Sequence, residues 1–155
     1  MRDRFLDPIT NRIADFLTAI GLSIRAGEIP AQTVLPGIHV EEGGLVVDEQ
    51  RLTYPGDLLH EAGHLAVIPA ARRLSLAGDT GDDGGEEMAA IAWSYAAVLH
   101  IGIPPSVVFH PAGYRGASQS ILENFSQGHY FGVPYLVWIG LTGTDYPRMT
   151  RWLRE

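Results

Sequence analysis

The chain has 155 residues with a formal charge of -7, and it contains no cysteine. Such a length is expected to form one domain over residues 1–155, burying about two-thirds of the surface of its unfolded form. The absence of cysteine excludes disulfides, thiol catalysis and Cys-rich metal sites, so any metal must be held by His, Asp or Glu. Eighteen acidic residues against eleven basic ones, with no Lys/Arg cluster beyond Arg72 and Arg73, argue against a nucleic-acid partner.

Along the chain, Ile9, Ile13, Phe16, Leu17 and Ile20 have the spacing of a helix with one core face over residues 8–21, with Gly21 as its stop. The stretch VLPGIHVEEGGLVVD reads as two short strands joined at Glu42–Gly44, a hairpin that needs a helix to lie against. Tyr54, Pro55, Gly56 and Asp57 then mark a helix start, with Asp57 or Thr53 as the expected cap. That central helix is bent or ended by Pro69.

Residues 77–85 fall in an acidic, glycine-rich stretch expected to be a flexible surface loop. Asp83 followed by Glu86 is a capping-box signal for a long helix running to about His100. Beyond it, SVVFH reads as a short strand and ASQSILENFSQG as an amphipathic helix, and YFGVPYLVWIGLT is an apolar, buried segment of either type. The longest apolar run, MAAIAWSYAAVL, is too short to span a bilayer, which takes about 20 residues. With no signal-peptide pattern at the N-terminus, no membrane association and a cytoplasmic location are expected.

Chemistry concentrates in DLLHEAGHLAV. Four helical positions turn the chain by about 400 degrees, so His60 and His64 point to nearly the same side, one turn apart, and both rings can reach one ion. Zinc accepts imidazole nitrogen at about 2.0 Å and in catalytic sites takes three protein ligands. Glu61, about 100 degrees round from His60 on the helix, is placed to contact a water beside the ion without becoming a ligand. Shuffling the same composition yields the His-Glu-any-any-His pattern only about 0.01 times per chain, so its position in an independently predicted helix carries weight. Gly63, inside that helix, costs roughly 1 kcal/mol against alanine, which close approach by a neighbouring strand or helix would explain.

The sequence His60-Glu61-Ala62-Gly63-His64 resembles the signature of zincin metallopeptidases. The resemblance implies a Zn2+ cofactor bound by His60 and His64, with Glu61 as general base in the hydrolysis of a peptide or small amide. It also implies a helix-rich, minimal zincin-like α+β domain, with a small β-hairpin or sheet packed on the central metal-binding helix. In the gluzincin branch the third ligand is a glutamate on a later helix, and Glu86 and Glu87 follow His64 by 22 and 23 residues. Glu86 is wanted for the capping box, so Glu87 is the preferred third metal ligand. No further histidine follows at metzincin spacing, and Ala90 and Ile91 stand where thermolysin-like enzymes carry an aspartate. Zincins also carry an edge strand beside the site, which residues 36–47 resemble in placement.

Other residues compete for a place in the site. His129 and His110 are alternative ligands, and His129, with Tyr130, is assigned provisionally to stabilising the oxyanion formed during attack. Tyr114, Tyr130 and Tyr135 are further oxyanion donors with no order among them. His39 reads as a strand residue and His100 as a helix C-terminal cap. The competing function is a zinc-binding interaction or structural domain that has lost, or never had, catalysis.

Overall fold

The computed structural model describes residues 3–76, 78 and 83–155, so most of the expected loop at 77–85 lies outside the described residues. The architecture is α+β: six α-helices and a three-stranded sheet among the described residues, the arrangement of a minimal zincin-like fold.

Helix α1, Pro8–Ile20, begins where Asp7 accepts the Thr10 N–H at 2.8 Å and stops at Gly21, whose φ of 103° closes the last turn. Its buried face carries Ile13, Ala14, Phe16 and Leu17. The expected hairpin forms from β2, Ile38–Glu41, and β3, Gly44–Val47, around Glu42 and Gly43, both at positive φ. A third strand not read from the sequence, β1 at Ile24–Ala26, adds in parallel, giving the order β1-β3-β2. Every residue of β3 is buried, and this central strand lies against α2. The outer side of β2 is an edge, where the Val40 carbonyl accepts the Gly78 N–H at 2.7 Å.

Helix α2, Asp57–Ala66, is the central helix, with only His60 of its ten residues not fully buried. Its cap position is Gly56 rather than Thr53 or Asp57. The Asp57 carboxylate is drawn into a pair with His110, and Gly56 is required because a Cβ there would sit 2.0 Å from the Val107 carbonyl oxygen. The C-terminal carbonyls of α2, which have no partner within the helix, are satisfied from outside. Arg73, on the short helix α3 at Ala70–Ser75, donates to the carbonyls of Leu65 and Ile68 at 2.7 and 3.1 Å. Arg154 donates its backbone N–H to Ala66 and its guanidinium to Val67. The helix that carries His60 and His64 is thereby pinned at its C-terminal end by Arg73 and Arg154.

Helix α4, Gly84–Ile101, starts at Asp83, which accepts the Glu86 N–H at 2.9 Å, and packs along α2. It is buried on nearly all sides, with Trp93 at the centre of the core. SVVFH is not a strand: Pro105–Val107 form a 3-10 turn, because the Pro104-Pro105 pair fixes φ and removes the donors a sheet would need. Helix α5, Ser118–Ser126, follows as expected. The apolar segment after it holds helix α6, Val133–Trp138, whose Val137 and Trp138 are exposed rather than buried. No helix among the described residues is long and apolar enough to cross a membrane.

Candidate metal centre

Three metal-ligating side chains converge where α2 crosses the first turns of α4. His60, His64 and Glu87 offer donor atoms that all lie within 4.8 Å of one another. The two rings are one turn apart on α2, their centroids separated by 5.1 Å. Glu87 reaches them because Gly63 lets α4 come close: a Cβ at Gly63 would lie 3.0 Å from the Ala90 carbonyl oxygen and 3.2 Å from Ser94 Oγ. Glu86 points elsewhere, into a 2.7 Å ion pair with Arg72; the Asp83 cap forms on its backbone N–H, and it is Arg72, not the capping box, that engages the Glu86 carboxylate.

The three side chains bear strongly on one another's protonation. His64 Nε2 lies 2.5 Å from Glu87 Oε2, a contact in which a proton holds together two groups that a metal would hold. Burial disfavours the charged His64 ring, but the Glu87 hydrogen bond and the charges of Glu87, Glu61 and Glu86 outweigh it and raise its pKa. Glu87 is lowered by the same hydrogen bond, against its own partial burial. His60 is pushed down to about 4 by burial and by the His64 charge, so it stands ready as a neutral donor. A tetrahedral ion with bonds of about 2.0 Å spaces its ligands about 3.3 Å apart. The donor atoms of this set already lie within 4.8 Å of one another, and two imidazoles with one carboxylate suit zinc.

Glu61 lies on the same helix, 5 % exposed, and its charge is felt at His64. His129 is exposed after the end of α5, its backbone N–H held by the Asn124 carbonyl, and it is not a member of the ligand cluster.

The structure brings in residues that had no priority in the sequence. Tyr114 lies with its ring 4.9 Å from that of His60 and 5.2 Å from that of Phe109. Its hydroxyl is buried beside Ser94, and its pKa is raised well above the ordinary value by burial, with Glu87 and Asp57 adding and Ser94 acting against the rise. The His110 ring is sandwiched against Tyr54, with centroids 3.8 Å apart and planes within 9°. His110 Nε2 meets Asp57 Oδ1 at 2.8 Å, and both side chains are 8 % exposed. The other ring nitrogen, Nδ1, is a buried polar atom without a partner among the described residues. Asp57 is raised by its burial, with His110 acting against the rise. The available signal was the helical spacing of Asp57, His60 and His64, which share one face. Reading Asp57 as a cap concealed it.

No family model, curated protein or solved structure matches the chain. The likeness therefore rests on the site itself: His60-Glu61-any-any-His64 with the distal Glu87 matches a zincin-type, gluzincin-like metal-binding arrangement.

Proposed function

We propose that the protein is a zinc-dependent hydrolase of metallopeptidase type, acting on a peptide or amide carbonyl. The observation that carries this reading is the convergence of His60, His64 and Glu87, with the buried carboxylate of Glu61 on the same helix. Zinc, when bound by these three residues, supplies a Lewis acid that acidifies a water and polarises a carbonyl. Glu61 takes the proton from the attacking water and passes it to the leaving amine. Tyr114, whose ring lies beside His60 and whose hydroxyl is buried, donates a hydrogen bond to the oxygen on which negative charge develops. It fills the role provisionally given to His129 better than that exposed histidine does.

Metal content and turnover, measured together, test the reading. Wild-type protein is expected to retain one zinc per chain after dialysis, and His64→Ala to retain little. Glu61→Gln is expected to keep its zinc and lose cleavage of a mixed peptide library by at least about a hundredfold, the scale of general-base catalysis. Undiminished cleavage by Glu61→Gln would remove the assigned base. Zinc binding with no cleavage in any variant would leave a zinc-binding interaction domain.

A further inference from the structure

Helix α2 begins against the segment that carries Tyr114, and three contacts hold the two together. His110 Nε2 meets Asp57 Oδ1, in the first turn of the helix, at 2.8 Å. Tyr54, just before that turn, lies flat on the same imidazole, with centroids 3.8 Å apart. Gly56 lets the Val107 carbonyl come so near that a Cβ would stand 2.0 Å from its oxygen. His110 is thus gripped at one edge and one face by residues of the α2 start. From the same residue the chain turns back at once. The His110 carbonyl accepts the Gly113 N–H at 3.0 Å, and a Cβ at Gly113 would lie 3.3 Å from the imidazole. Tyr114 follows directly, with its ring 4.9 Å from that of His60, which stands one turn along α2 from Asp57.

The Asp57–His110 pair is badly placed to touch a substrate. Both side chains are 8 % exposed, Nε2 is engaged by Asp57, and Nδ1 is buried without a partner among the described residues. Nor is the pair a strong source of stability. Whichever protons the ring carries, Nδ1 stays unsatisfied, and burying a carboxylate with an imidazole costs desolvation that one hydrogen bond barely offsets. Apolar side chains of similar volume would fill the same space at no loss. What apolar contacts would not supply is direction: a short bond between two fixed atoms admits one position of the turn on the helix, where a greasy contact admits several.

We propose that Asp57 and His110 are positioning residues, whose buried bond sets where the turn sits on α2 and so holds the Tyr114 ring over His60. The catalytic consequence rests on the hydrolase reading above, in which Tyr114 serves the developing oxyanion. The placement itself belongs to the metal-free fold.

The ring contact gives a readout that needs neither zinc nor turnover. The ring current of Tyr114 displaces the resonance of the His60 Cε1 proton. That proton is followed by carbon–proton correlation in metal-free full-length protein, at a pH where His60 is neutral, and is assigned by its loss in His60→Gln. Tyr114→Leu gives its position without the tyrosine. Asp57→Leu combined with His110→Phe is expected to move the resonance most of the way to that position, although Tyr114 is present, with a melting temperature at or above that of wild type. Asp57→Asn combined with His110→Leu, which keeps the volume at Asp57, is read in the same way where the first pair packs badly. Asp57→Asn alone keeps an acceptor for Nε2–H, and its resonance should stay near that of wild type. With zinc, the double variants are expected to lose kcat by about a hundredfold with KM little changed, the scale of a misplaced catalytic group, and Asp57→Asn alone recovers part of that loss. A resonance unmoved in the folded double variants, or moved only in step with a fall in melting temperature, overturns the proposal. A moved resonance in a protein that takes up no zinc, or cleaves nothing, leaves the positioning in place and removes the hydrolase reading instead.

Discussion

At the scale of single residues, the metal-free site is a set of opposed titrations. His60 has a folded-state pKa of about 4 against an ordinary 6.5. Between those values the unfolded chain carries a proton on His60 that the folded chain does not, so acidification favours unfolding. The stabilisation from neutral His60 is present above pH 6.5 and is lost as pH falls towards 4. His64 acts in the opposite sense. Its raised pKa gives stability that is fully present below 6.5 and is lost as pH rises through the folded value. His60→Gln removes the first effect and leaves the second. Urea unfolding of metal-free protein is expected to show wild type losing stability, of order 2 kcal/mol after solvent screening, between pH 6.5 and 4. The Gln variant should lose markedly less over that window, and parallel curves would mean that His60 titrates normally.

At the scale of elements, the crossing of α2 and α4 decides whether a metal can be held at all. Gly63 sits at that crossing, beside His64 and facing Ala90, three residues beyond Glu87. An alanine gains roughly 1 kcal/mol in helix propensity. Its Cβ, however, meets backbone at 3.0 and 3.3 Å, and the backbone of a buried helix cannot turn aside as a side chain can. Overpacking of this kind costs about 1–3 kcal/mol. Gly63→Ala is therefore expected to lower stability by about 1 kcal/mol net. By spreading α2 from α4, it should also weaken zinc binding about tenfold, a loss of about 1.4 kcal/mol. A variant more stable than wild type with unchanged zinc affinity would show that the glycine does not serve close approach.

The same elements show what the sequence could and could not disclose. Helices α1, α4 and α5 and the hairpin follow local rules, namely apolar periodicity, an Asp cap and a glycine turn, and they form where those rules put them. The segment Ser106–His110 has strand-forming residues but follows two prolines, and chain geometry overrides propensity there. Strand β1 is three residues long, too short for any alternation to register, and it exists because β3 offers it an edge. In the site, His60, Glu61 and His64 were legible because one helix sets their relation. Glu87 was preferred because the capping box was expected to engage Glu86, whose carboxylate is in fact engaged by Arg72, a pairing that no local pattern announced. The Asp57–His110 pair and the contact of Tyr114 with His60 join residues more than 50 positions apart, the second by way of left-handed backbone at Tyr114, and no local pattern encodes that.

At the scale of the molecule, the core and the metal centre are separable sources of stability. The buried cluster draws on α1, the sheet, α2, α4, α5 and α6, with Trp93, Phe109 and Phe125 among its largest members, and none of these residues ligates the metal. Without a cation, the His64–Glu87 contact still ties α2 to α4. The apo chain should therefore stay folded, unlike a zinc finger, whose folding free energy is its metal-binding energy. Zinc held by His60, His64 and Glu87 would replace that proton-mediated tie with a metal-mediated one between the same helices, and only in the folded arrangement. Free zinc at 1,000 times its Kd contributes about 4 kcal/mol. At about 2–4 °C per kcal/mol for a chain near this size, the melting temperature should rise by roughly 10 °C. The rise should vanish in His64→Ala and in Glu87→Ala, each lacking one ligand, and persist in Glu61→Gln, which lacks none. Far-ultraviolet circular dichroism with and without chelator checks both halves: helical signal retained in apo protein, and a zinc-dependent shift confined to chains with all three ligands. Unfolding on chelation would mean that the metal, and not the Trp93 core, holds α2 against α4.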